Sequence, residues 1–104
     1  MYEETRKFLT ENEGKTVKLV GKISNIMWQH IILSLEDYPY FNYFDLENGF
    51  QIIIYSKEEI NCPNKVEIIG KIIAVNSESK KSNPENRKIL YEYHIVVESW
   101  KCIN

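Results

Sequence analysis

No apolar run in this chain of 104 residues approaches the roughly 20 residues that a membrane-spanning helix needs. The opening stretch, MYEETRKFLTENEG, is charged where a secretory signal is apolar, so the expectation is a cytoplasmic protein. Cysteine is scarce: Cys62 and Cys102 stand forty residues apart with no CxxC or Cys/His cluster, which suggests neither a zinc site nor a disulfide framework. Free thiols are expected. Positive charge is not in excess either. The net charge of −2 gives no global attraction to phosphate, so any such attraction must be local. A Gly-rich phosphate loop, a nucleophile elbow and a paired-carboxylate motif are all missing. His30 and His94 have no carboxylate or cysteine at ligand spacing nearby, so no metal, cofactor or acid-base role is assigned to them. An enzyme is not expected.

Alanine occurs once, at Ala74, while Ile, Lys, Glu and Asn are abundant, and the Ile-rich segments favour strands. With 43% hydrophobic and 27% charged residues, the composition is that of a folded soluble domain. The length suits one domain, read as an N-terminal helix over 1–14 and a barrel over 15–104.

Tyr2, Thr5, Phe8 and Leu9 fall at helical spacing, with Gly14 placed to end the helix. From Thr16 the period changes to two. Val17, Leu19, Gly21 and Ile23 alternate with Lys18, Val20 and Lys22, and the pattern V-x-[LI]-x-G-K-I returns at Val66 to Ile72. A glycine at the same place in both copies, Gly21 and Gly70, predicts bends or bulges where a small barrel coils. Between the copies, YFNYFDL and GFQIIIYS are joined through Asn48 and Gly49, the signal of a tight hairpin. Ser56 and Glu59 have capping-box spacing ahead of Pro63, which allows a vestigial helix between the third and fourth strands. The polar stretch from Ser77 to Lys88 reads as a long loop before a last alternating strand, YEYHIVVESWKCI. Five strands in this order predict an all-β Greek-key barrel of the OB type.

The segments TVKLVGKISNI, YFDLENGFQIIIYS, VEIIGKI and YEYHIVVESW resemble the nucleic-acid-binding OB domains of class II aminoacyl-tRNA synthetases and of archaeal replication protein A-related single-strand-binding proteins. The resemblance runs from about Thr16 to Trp100. It implies a base-stacking role for Tyr43, core positions for Phe44 and Leu46, and a third strand opening on Phe50 and Gln51. It also implies a single-stranded nucleic acid as partner, DNA favoured over RNA.

In that register Phe44, Leu46, Phe50, Ile52 and Ile54 point inward, and Tyr43, Asp45, Gln51, Ile53 and Tyr55 share the outward face. Tyr43 and Tyr55 are then either a platform for successive bases or plain occupants of a pleated surface. Gln51 offers a donor and an acceptor to a base edge. Trp28, Tyr38 and Tyr40, in or beside the connection from strand one to strand two, either clamp a strand or close one end of the barrel. Lys80, Lys81, Arg87 and Lys88, set against Glu78 and Glu85, give a local positive excess suited to phosphate contacts. The leading expectation is a non-catalytic domain that binds single-stranded nucleic acid. Its rival is a protein-interaction module within a larger single-strand-binding assembly, favoured if carboxylates such as Asp45, Glu92 and Glu98 ring the tyrosines.

Overall fold

The structure, a computed structural model, describes residues 2–76 and 91–103. One helix, α1 (Tyr2–Glu11), precedes five strands: β1 (Thr16–Ile23), β2 (Tyr40–Leu46), β3 (Gln51–Ser56), β4 (Lys65–Asn76) and β5 (Tyr91–Ile103). They close into a barrel in the order β1-β2-β3-β5-β4, consistent with the OB-fold expected from the sequence. All neighbours run antiparallel except β3 and β5, which meet in parallel at Ile54 with Ile95 and Tyr55 with Val96.

The two glycines sit where the barrel turns. β1 pairs with β4 from Thr16 to Lys22 and acquires β2 as a second partner from Gly21 onward. A Cβ at Gly21 would run into the Asp45 carbonyl and the Phe44 ring. A Cβ at Gly70 would meet the Val96 carbonyl and Ile95. Beside Gly70, β5 carries one extra residue, because Ile69 faces Ser99 while Gly70 faces Val97. That bulge at Glu98 resets the alternation of β5: Tyr93, Ile95 and Val97 contact the core before it and Trp100 after it. Both alternating sets of β5 are apolar in sequence for this reason.

Inside the barrel pack Phe44, Ile52, Ile54, Val66, Ile68, Ile72, Ile95 and Val97, with Leu9 added by α1 and Ile60 by the β3–β4 connection. Leu46 and Phe50 lie against this core, as the register predicted. The β2–β3 turn closes with Gly49 at φ +91°, the Leu46 N–H donating to the Phe50 carbonyl and Asn48 Oδ1 accepting from the Phe50 N–H. Asn48 also donates to Thr5 Oγ1 at 2.8 Å, which ties the turn to α1.

Two expectations are corrected. Residues 57–64 form bends and no helix. The Ser56 hydroxyl donates to the Glu58 carbonyl instead of accepting from a helical N–H, and Ile60 is drawn into the core. Cys62 and Cys102 are not free thiols but a disulfide with Cα atoms 5.4 Å apart. Sequence separation concealed this because Val66 and Cys102 are opposed on β4 and β5, which brings the end of β5 beside the β3–β4 connection. Such bonds belong to oxidising compartments and to the interior of hyperthermophiles, so the cytoplasmic expectation gains nothing from it.

Gly70→Ala is expected to destabilise the barrel by about 2 kcal/mol or more, read as a lowered denaturation midpoint, because backbone must move to admit the methyl group. A Cys62→Ser/Cys102→Ser double variant should lose roughly 2–4 kcal/mol for a closed loop of this length. Thiol titration of the unfolded, unreduced native chain should find no free sulfhydryl.

Candidate functional site: the covered face and the aromatic cleft

Strand periodicity places Tyr43, Asp45, Gln51, Ile53 and Tyr55 on the outside of β2 and β3, and Glu92, His94 and Val96 on the outside of β5. Much of that face is covered. Ile53 and His94 are fully buried and Tyr55 is 1% exposed, although none of them belongs to the barrel core. The cover is the β1–β2 connection, residues 24–39, whose Ile31 and Leu33 backbones bond to it and whose Ile31, Ile32, Leu33 and Leu35 are half-buried.

Hydrogen bonds hold the connection down along its length. The Leu33 N–H donates to Tyr55 Oη at 2.9 Å, and the Ile31 N–H to Glu92 Oε2 at 3.3 Å. The Trp28 N–H donates to Gln51 Oε1 at 3.3 Å, while Gln51 Nε2 donates to the Ile26 carbonyl at 2.8 Å and to Asp45 Oδ1 at 2.9 Å. His30 lies with Nδ1 3.1 Å from Glu92 Oε1 and Nε2 3.0 Å from Gln51 Oε1, its ring tilted against Tyr43. Behind it, Tyr55 Oη is 2.9 Å from His94 Nδ1, and His94 Nε2 is 2.8 Å from Glu92 Oε1. Among the described residues no buried side-chain nitrogen or oxygen is left without a partner.

Burial sets the proton affinities here. It pushes the Tyr55 hydroxyl up, partly offset by the Leu33 N–H and reinforced by Glu92. Burial also pulls His94 down, against the raising effect of its bond to Glu92, so His94 is a neutral imidazole. Although two imidazoles and a carboxylate converge, no group of three His, Cys, Asp or Glu among the described residues is disposed to hold a metal ion.

The outward register is therefore found, and the open platform is not. Tyr55 is sealed under Leu33, Gln51 is saturated by the chain itself, and Tyr43 is half-buried beside His30. Trp28 and Tyr40 are exposed and close neither end of the barrel. Lys80, Lys81, Arg87 and Lys88 lie outside the described residues. Lys18 on β1 pairs with Glu67 on β4 at 3.7 Å.

A different opening lies next to the covered face. A cleft of about 740 Å³ runs between α1, the β1–β2 connection, the β2–β3 turn and the start of β5. Trp28, Tyr2, Phe50 and Tyr93 supply its rings, and Arg6 its cation, poised 5.9 Å from the centre of the Phe50 ring. Trp28 is 65% exposed, and it continues an apolar tip formed by Ile26 and Met27, at 58% and 72%. Sequence reading passed over Arg6 and Tyr93, named Glu92 only as a carboxylate that would favour a protein partner, and gave neither histidine a role. Their signal was the shared parity of Glu92 and His94 on β5; α1 had no partner that sequence could name.

Comparison with models of known protein families, with curated proteins and with solved structures finds no match to this chain.

Tyr55→Phe should cost about 1–3 kcal/mol in denaturant unfolding, since it strips the Leu33 N–H of its acceptor and His94 Nδ1 of its donor in a dry site.

Proposed function

We propose that this chain is a non-catalytic OB-type domain that binds single-stranded nucleic acid in the cleft beside the covered face. The observation that carries the reading is the aromatic lining of that cleft, with the exposed Trp28 at its mouth and Arg6 within. The exposed Trp28 ring presents a face on which a base can stack, worth roughly 1–3 kcal/mol per base, and stacking of this kind tolerates any sequence. The cleft is bordered by the connection between the first two strands and by the start of the last, the region with which OB-folds hold oligonucleotides. The lysine-bearing segment is joined to β5 immediately ahead of Glu92 and Tyr93, so Lys80, Lys81, Arg87 and Lys88 are assigned to phosphate contacts in this reading. The finer likeness to replication protein A-related domains and to anticodon-binding domains belongs to the same proposal, and supplies its preference for DNA.

A protein partner is the second reading, favoured by the apolar tip Ile26, Met27 and Trp28 and by the lysines of the described barrel surface. Lys18 and Lys101 approach Glu67, and Lys65 approaches Glu47, which leaves less charge for phosphate. Asp45 and Glu92 do stand among the tyrosines, as that reading required, but both are engaged by the chain itself.

Fluorescence anisotropy with labelled mixed-sequence single-stranded DNA and RNA should show salt-sensitive binding. Trp28→Ala should weaken it about 5- to 100-fold, the range of one lost stack. Arg6→Gln should weaken it and flatten the logarithmic salt dependence by about one unit. Absence of binding to either strand at low salt transfers the assignment to the protein partner.

A further inference from the structure

We propose that the β1–β2 connection is a proton-linked latch, closed over the β2–β3–β5 face while His30 is an imidazolium and released when that proton leaves. The inference holds whatever the neighbouring cleft binds.

It follows from counting donors. Gln51 can be oriented one way only. Its Nε2 faces the Ile26 carbonyl and Asp45 Oδ1, both acceptors, while its Oε1 faces the Trp28 N–H, a donor. Turning the amide over would set oxygen against oxygen on one side and N–H against N–H on the other. Gln51 Oε1 therefore presents only an acceptor to His30 Nε2, 3.0 Å away.

The other ring nitrogen is constrained as firmly. His30 Nδ1 faces Glu92 Oε1 at 3.1 Å. Glu92 is committed as an acceptor from the opposite side: Tyr55 Oη accepts the Leu33 N–H and donates to His94 Nδ1, so the proton of neutral His94 resides on Nε2 and points at Glu92. The Ile31 N–H occupies the second carboxylate oxygen. Both nitrogens of His30 thus face acceptors, and a neutral imidazole has one N–H to offer. The closed latch holds one proton more than a neutral imidazole beside a carboxylate. The ring position is otherwise set by Tyr43 from β2, with Asp45 behind Gln51, and Arg6 from α1 lines the same cleft.

The sign follows from linkage. Because the closed arrangement holds that extra proton, closing takes one up wherever the open chain lacks it, and closure then weakens by up to tenfold per unit of rising pH. His94 acts in the opposite sense. Its burial resists protonation, so the whole barrel loses stability as pH falls below about 6.5. The melting temperature therefore mixes the two histidines, and only the latch itself separates them.

Amide hydrogen exchange, corrected for its intrinsic pH dependence, is the test. From pH 5.5 to 8.5 the Trp28, Ile31 and Leu33 amides should lose protection as pH rises, by as much as tenfold per unit, while those of Ile52 and Ile95 in the barrel lose none in that direction. In His30→Gln the slope should vanish. Nitrogen-15 spectra of the histidine rings at the acid end should show two protonated nitrogens on His30 and Nε2–H alone on His94. Flat protection in the native chain, a slope retained in His30→Gln, or a singly protonated His30 under a protected connection would each overturn the proposal.

Discussion

Glu92 is the group on which the outer layer depends. Its two carboxylate oxygens face His94 on its own strand, His30 on the connection and the Ile31 backbone N–H. Without that acceptor, a buried imidazole and a backbone N–H would have nowhere to donate, and desolvated donors of this kind are costly. The carboxylate is in turn tolerable in a mostly dry layer because several donors converge on it. Glu92, which strand alternation alone places on the outside of β5, thus joins the barrel to its cover alongside Gln51 and Tyr55 on β3.

Much of the barrel could be read directly from residue patterns. The repeated V-x-[LI]-x-G-K-I motif identified β1 and β4, and Asn48-Gly49 identified the hairpin, since both signals are local and follow from backbone geometry. The inward set of β2 and β3 was legible for the same reason. What could not be read was contact at a distance. Tyr55 has outward parity, and parity was taken as exposure; only the path of residues 24–39 decides between the two, and that path carries no periodic signal. The disulfide was hidden likewise, because strand order, and not spacing, makes Cys62 a neighbour of Cys102. The role of His30 is hidden in the sequence because its partners Gln51 and Glu92 lie 21 and 62 residues away, while His94 has Glu92 two residues off but its Tyr55 partner 39 residues away.

The covered face also changes how the aromatic residues divide. Tyr55 and Phe44 are structural, one under the connection and one in the barrel, and Trp28 is left as the ring with most freedom to meet another molecule. A small barrel has few residues with which to make both a core and a binding surface. Here the connection serves both purposes: its later half, Ile31 to Leu35, seals the face, and its earlier half, Ile26 to Trp28, is presented outward.

The Cys62–Cys102 bond has a topological effect apart from its energy. It closes a covalent ring that contains β4, the lysine-bearing segment and nearly all of β5. Scission of any one peptide bond within that ring leaves a single molecule, with both pieces still paired across the β4–β5 ladder. The stretch richest in positive charge is thereby the part of the chain where a backbone break separates nothing.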